Sequence, residues 1–446
     1  MKFFTRGMAA LLALVMLFCM AACGSSELRT EIDSLKESVS ELAAENEQLK
    51  QQAIEAKEEL ANQKAALEAL KQDTEETLKN LEAALKGQFR IKVVDLDGEV
   101  LVDDAVLCKD AGSIVELLTE SYGMVSYQSA YGTSVVSIAG SIVDSNYYVS
   151  ISENGLYSEV GIDGLVIDVG DVFEFKVECW NTVASGYGTM DEYDLLVDQL
   201  IYSYMKTVLP AQVAAETAHT GMLFWDQAAV TFMAKSGYDT NLFCFAYSEE
   251  YKNALNAVDV TKLSGSDFMK YYYAKVSMGQ ELSQSFKDAF NATVATSCTD
   301  WLLPVAKAMG SDTQGVQSLI AGAPTTSFEW GPDASICSYV LRGLYANYDG
   351  YLASYTQKLD WGNGTSTALL LLAFAKDGIN PRQTAYENDG KDVVEVLLDT
   401  YYDKELNLIK VYPTDTGLNF STNQIYASLM AYKACRDTGN AANIFA

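Results

Sequence analysis

The sequence predicts a multi-domain α+β protein: an N-terminal long coiled-coil helix, a small β domain, and a C-terminal α6/α6 toroid. Three observations predict this. An apolar 4-3 repeat flanked by charged residues runs from Leu28 to Ala84. The hydrophobic period drops to two directly after Gly87. From Met190 onward, helix-length segments alternate between apolar all round and amphipathic, separated by Gly, Pro, Asn and Asp.

The N-terminus carries Lys2 and Arg6, an apolar run from Met8 to Met20, and Met20-Ala21-Ala22-Cys23 followed by Gly24-Ser25-Ser26. This is the layout of a secretory signal, with an apolar run too short for a membrane span. It resembles the lipobox of bacterial lipoproteins, with Met20 where Leu is usual. The resemblance implies a signal peptide over 1–22, diacylation of Cys23, and a lipidated tether over 23–27. The expected location is extracytoplasmic, anchored to the cell membrane through Cys23, because two acyl chains hold a bilayer stably where one does not.

Loss of Lys2 and Arg6 with the signal leaves 29 basic residues against 60 acidic ones, a net charge of −31. This charge argues against nucleic acid and anionic membrane surfaces as partners, since both would repel it. Six cysteines follow Cys23, at 108, 179, 244, 298, 337 and 435, with no C-x-x-C among them. Disulfides and free thiols both remain open. His219 is the only histidine and reads as structural, near a helix end. No metal site and no required cofactor are expected.

In the stalk, residues 28–86, Leu28, Ile32, Leu35, Val39, Leu42, Asn46, Leu49, Ala53, Ala56, Leu60, Gln63, Leu67, Leu70, Thr74, Thr77, Leu81 and Ala84 share one seam, which Gln63, Thr74 and Thr77 weaken in its distal half. β-Branched Ile32 and Val39 at a, leucine at d and Asn46 at a favour a parallel two-stranded assembly. No second heptad segment occurs, so the expected partner is another copy of the chain. A trimer and a single solvated helix are the alternatives. At 1.5 Å per residue the rod would be on the order of 85 Å long, and Gly87 is placed to end it.

Over 88–180 the pattern is that of strands and turns. Phe89, Ile91 and Val93 alternate with Arg90 and Lys92, and Asp97-Gly98 is a hairpin signal. Ser113 and Glu116 form a capping box. Asn154-Gly155 is a turn, and Phe173, Phe175, Val177 and Cys179 define a last strand. With Val136 to Gly140, Tyr147 to Gly155 and Asp168 to Phe175, the order resembles the small β domain of transcobalamin-type proteins. That resemblance implies a β-grasp-like sheet whose edge and loops close over a ligand.

In the helical domain, 189–446, the segment Ser366 to Phe374 is apolar all round and is expected to be buried on every face. Helix starts are read at Asp191, Trp225, Thr299, Gly331, Gly364 and Ser421, several spaced as helical hairpins. Six starts suit a toroid whose inner N-termini share one mouth, although capping alone accounts for each residue singly. Ala373 to Pro381, Asn388 to Leu398 and Ser421 to Tyr432 resemble the helical domain of transcobalamin and intrinsic factor and its terpenoid-cyclase-like relatives. The resemblance implies a small-molecule ligand, with cobalamin or another corrinoid held between the two domains. The candidate ligand contacts are Tyr147, Trp225, Asp226, Trp330, Asp333, Trp361, Thr365, Asn423 and Gln424. The acidic motifs of terpene cyclases and the Cys-Gly-Glu-Gln of thioester proteins are absent from the chain, so no catalytic residue is expected. A non-enzymatic adhesion module binding protein or glycan is the alternative.

Overall fold

The computed structural model describes residues 63–81, 86–130, 132–141, 146–180, 183–184, 186–215, 223–322, 332–346, 358–419 and 421–446, with isolated positions besides. The signal, Cys23, the tether, most of the stalk, His219 and Trp330 lie outside the described residues. The fold is mixed α+β. It divides into two compact units, Met1–Glu82 and Ala83–Ala446.

In the first unit, 63–81 is helical. The seam residues Leu67, Leu70 and Leu81 are exposed. Two seam threonines turn inward: Thr74 Oγ1 donates to Leu70 O at 2.8 Å and Thr77 Oγ1 to Asp73 O at 2.9 Å. This satisfies each hydroxyl within its own helix.

The second unit opens with β1 (Gln88–Val94) and β2 (Val100–Leu107), joined through the Asp97-Gly98 turn with Gly98 at φ 83°. Helix α1 (Ile114–Tyr122) follows, with both bonds of the Ser113/Glu116 capping box formed. Strands β3 (Val125–Ser129) and β4 (Gly132–Ser137) make a separate ribbon. Strands β5 (Tyr147–Glu153), β6 (Leu156–Tyr157) and β7 (Val172–Cys179) complete a sheet of order β2-β1-β7-β5-β6. Its two central strands, β1 and β7, are parallel. Asn154 and Gly155 both take positive φ, 54° and 78°, matching the twist of a tight hairpin. The inward residues Phe89, Ile91, Val93, Phe173 and Phe175 pack under Ile114 and Leu118. At the other end of the sheet Tyr147 and Val177 belong to the core of the helices.

The helices are α2 (Glu192–Ser203), α3 (Leu209–Ala215), α4 (Phe224–Lys235), α5 (Glu249–Asn256) and α6 (Asp267–Ser277). They continue as α7 (Gln284–Val294), α8 (Leu303–Met309), α9 (Gln314–Ala321) and α10 (Pro332–Arg342). Three more, α11 (Gly364–Lys376), α12 (Val393–Tyr401) and α13 (Thr422–Thr438), complete the series, with a two-strand ribbon of β8 (Tyr402–Asp403) and β9 (Leu408–Ile409) between α12 and α13. Every residue of α11 is buried, as its all-apolar pattern predicts.

Helices α4, α6, α8, α10, α11 and α13 each pack against the next, and α13 returns to α4. Five of the six expected helix starts fall on this cycle or, for Thr299, on the short 3₁₀ turn leading into it. The sixth differs. Asp191 caps α2, which packs outside on α13 and α12, and the cycle is completed by α6, starting at Asp267. Aromatic Tyr271, Tyr272 and Tyr273 obscure the apolar register of α6 in the sequence. The chain's last residues pack into the same core. Phe445 lies 5.2 Å from the Trp225 ring, and its carbonyl accepts from Tyr273 Oη at 3.2 Å.

Ala184 and Gly186, between the sheet and the helices, are both tied down. Asn380 Nδ2 donates to Gly186 O at 2.8 Å and Ala184 N to Arg436 O at 3.1 Å.

Candidate functional site: a cleft between sheet and helices

The β elements and the helices meet along a buried polar seam. Asp198 on α2 accepts from Arg436 Nη2 at 2.8 Å and Lys433 Nζ at 3.0 Å, and Tyr147 of β5 donates to the same carboxylate. Lys433 Nζ lies 5.3–5.6 Å from the rings of Tyr147, Tyr202 and Tyr238. Arg436, Lys433 and Asp198 are fully buried. Buried charges are tolerated only when paired and hydrogen-bonded, and here each is. Burial, followed by the Asp198 charge, pushes the Tyr147 hydroxyl far above its ordinary range, so it stays a donor.

A second fastening lies at the β1–β2 turn. Lys206 pairs with buried Asp95, and Gln199 Nε2 donates to Leu96 O at 3.3 Å. Lys206 sits on a π-helical turn, Tyr204–Val208, between α2 and α3. Pro210 explains that turn. It has no N–H for the Lys206 carbonyl and its ring crowds it, so the ladder widens and Leu209 N bonds to Tyr204 O. Burial lowers the Lys206 pKa.

Between these fastenings lies a cleft of about 460 Å³. One wall is β structure: Gly123, at the left-handed cap of α1, and Gly140 and Ser141 in the turn after β4. Ser141 Oγ accepts from Ile138 N at 3.0 Å, and Gly140 at φ 79° leaves the wall open where a side chain would stand. The facing wall is Met205, Lys206, Leu209 and Val213. The floor is the loop after α4, which presents Asp239, Asn241, Cys244 and Phe245. Asp239 shapes that loop by accepting from Asn241 N at 2.8 Å on its side chain and from Phe243 N at 2.8 Å on its carbonyl. A second cavity of about 320 Å³ lies across Cys244 and Phe245, toward α4 and α6. The cleft offers apolar walls with a few convergent polar groups, the usual make-up of a small-molecule site.

None of the expected contacts among the described residues lines this cleft. Tyr147 is spent on Asp198. Trp225 is buried among Phe224, Trp301 and Phe445. Asp226 is fully buried on α4, and its Oδ1 lies 2.9 Å from Tyr204 Oη. Thr365 and Asn423 are buried in the first turns of α11 and α13. Asp333 accepts from Ser366 Oγ, Trp361 carries Lys358 Nζ 5.4 Å from its ring, and Gln424 is half-buried with its carbonyl accepting from Ser428. The starts of α10 and α11 are brought together, but around packed side chains. The reason is volume: the tryptophans and tyrosines at these helix starts fill the space that their polar neighbours would share. The cleft residues were missed because Gly123, Gly140 and Asn241 carry only turn signals. Pro210 inside a helical pattern was the available clue.

Burial raises the Asp226 pKa well above its ordinary value, and no cation is paired with it among the described residues. Tyr204 Oη also lies 3.1 Å from Gln212 Oε1. The Tyr204 hydroxyl donates to Asp226 Oδ1, and the Gln212 amide lies on its other side.

Among the described residues Cys108, Cys244, Cys298, Cys337 and Cys435 are free thiols. Among the described residues no group of three His, Cys, Asp or Glu is placed to hold a metal ion, and no helix is long and apolar enough to cross a membrane. No protein family, curated protein or solved structure matches the chain.

Proposed function

We propose that this chain is a lipid-anchored, extracytoplasmic, non-enzymatic ligand-binding protein, displayed on a self-associating stalk, with its ligand seated in the cleft between β elements and helices. The observation that carries the reading is the cleft itself. Its walls come from both parts of the second unit, and the seam at Asp198 and the Lys206–Asp95 pair hold those walls in register. The cycle α4-α6-α8-α10-α11-α13, with the remaining helices outside it, supports a toroid of the α6/α6 type. Parallel β1 and β7 under α1 support a β-grasp-like sheet. Both fit the transcobalamin-like resemblance, and with it a corrinoid as ligand. A corrinoid with its amide arms outsizes 460 Å³, so it would insert one edge, its amides meeting Asn241, Ser141 and Lys206.

The test is titration of the purified chain with cobalamin and cobinamide, followed by the corrin absorption bands and by calorimetry. Binding at micromolar concentration, weakened about tenfold or more by Asn241→Trp, is the expected result. No heat and no band shift at tens of micromolar would remove the corrinoid. Binding untouched by Asn241→Trp would remove the cleft.

One observation favours the adhesive alternative. Exposed Trp180 stacks on Tyr148 with ring centroids 3.9 Å apart, an aromatic platform of the kind sugar rings stack on. Glycan-array binding lost in Trp180→Ala would support it.

A further inference from the structure

The smaller cavity, of about 320 Å³ beside α4, α6 and the loop after α4, differs in charge from the chain around it. Acidic residues outnumber basic ones 60 to 31, yet no residue lining this cavity is acidic, and Lys235 is among them. Asp239, the acid of that loop, lines the cleft instead, where its carboxylate accepts from Asn241 N at 2.8 Å. The apolar lining includes Phe243, Phe245 and Val276. Phe243 is buried and Phe245 stacks on Tyr247 with ring centroids 5.3 Å apart, so this surface is held in place.

Three polar side chains of the cavity carry donors with nothing to receive them. A helical threonine ordinarily returns its hydroxyl to the carbonyl four residues back, as Thr207 does to Ser203 O at 2.7 Å. Thr231 on α4 does not. Among the described residues its hydroxyl, the Thr240 hydroxyl and the Lys235 ammonium have no hydrogen-bond or ion-pair partner. Thr231 and Lys235 are four apart on α4 and so stand side by side on one face. Thr240 joins them from the loop.

α4 and α6 both end here, and a helix C-terminus disfavours an anion. The closing carbonyls are already taken, however. Met233 O accepts from Tyr238 N at 3.2 Å and Ala234 O from Gly237 N at 3.3 Å; Lys275 O accepts from Gln280 N and Val276 O from Gly279 N, both at 2.9 Å. The dipole that remains is weaker than a hydrogen bond from an ammonium to an oxyanion.

We infer that this cavity is an anion site separate from the cleft, and that it takes a compact oxyanion, a phosphate ester or a carboxylate, on an apolar stem. The oxyanion accepts from Lys235 Nζ, Thr231 Oγ1 and Thr240 Oγ1, and the stem lies against Phe243, Phe245 and Val276. A free inorganic ion is a poor ligand, because exposed Lys235 alone holds it weakly and it buries no apolar surface.

Cys244 lines both cavities and is exposed, so its alkylation reports on occupancy. The purified full chain is treated with iodoacetamide, and modification of Cys244 is followed by peptide mass mapping. Phenyl phosphate, benzoate, inorganic phosphate and phenol are compared at millimolar concentration. Phenyl phosphate, benzoate or both should slow the reaction about fivefold or more by mass action, and phenol and inorganic phosphate less than about twofold. Which of the first two protects names the oxyanion. Lys235→Gln should abolish the protection and Thr231→Val should weaken it. Equal protection by phenol and phenyl phosphate would overturn the anion preference. Protection that survives Lys235→Gln, or none at tens of millimolar, would overturn the site. The corrinoid titration reads the cleft and this one reads the cavity, so each can fail alone.

Discussion

Asp226 shows how one side chain couples burial to pH. Its folded pKa lies well above the unfolded value, because burial penalises the charged form. The native state therefore holds a proton that the unfolded state releases. Stability from this group is complete below the unfolded pKa, near 4, and falls as pH rises, by about 1.4 kcal/mol per pH unit until the folded pKa is reached. Asp226→Asn mimics the neutral acid. It should leave the melting temperature near pH 4 little changed and raise it at pH 7 to 8, which a pair of calorimetric pH series would reveal. A wild-type curve no steeper than that of the variant would show Asp226 to be charged. The sequence made Asp226 visible as a polar group in a first helical turn, and that placement holds. Its role was hidden, because only the fold supplies Tyr204 from another element as its partner.

Among elements, α11 was the most legible. Nine consecutive small or apolar residues admit no solvent face, and the helix is buried throughout. Its start is less obvious from sequence. Gly364 N bonds to Val411 O at 2.7 Å, and a Cβ at Gly364 would stand 2.3 Å from Lys410 O. The glycine is there for close approach of the backbone at Lys410 and Val411, just after β9. Gly364→Ala should cost about 1–3 kcal/mol through displacement of that backbone, read as a lower denaturant midpoint with an unchanged slope. The π turn is the opposite case. Its cause, Pro210, is visible in the sequence, yet its consequence is not, since the widened ladder sets where Met205 and Lys206 point. Pro210→Ala restores the missing donor. The expected outcome is an ordinary α-helical turn, a changed direction for Lys206, and at least about tenfold weaker ligand binding with no loss of stability.

For the second unit as a whole, the decisive contact is the one between sheet and helices. Sequence periodicity separates 88–180 from 189–446 because it reports local pattern, and local pattern carries no trace of pairings such as Asp198 with Arg436, 238 residues apart. Those pairings join the two parts into one compact unit. Asp198 is their hub: it accepts from a tyrosine of the sheet and from two cations of α13. Asp198→Ala would leave buried Lys433 and Arg436 with Asp437 as their shared carboxylate, 3.0 and 2.8 Å away. Because that partner remains, the cost should fall below the roughly 3–5 kcal/mol of leaving a buried charge wholly unpaired. The cost falls on the joint, because Tyr147 loses its acceptor while the Phe89–Phe173 core under α1 is untouched. Wild-type protein should thus unfold its sheet and helices in one calorimetric transition, and Asp198→Ala should split it in two, with the ligand cleft lost at the first. A single transition merely shifted to lower temperature would mean that the apolar packing of Val177 and its neighbours, and not the ionic hub, holds sheet to helices.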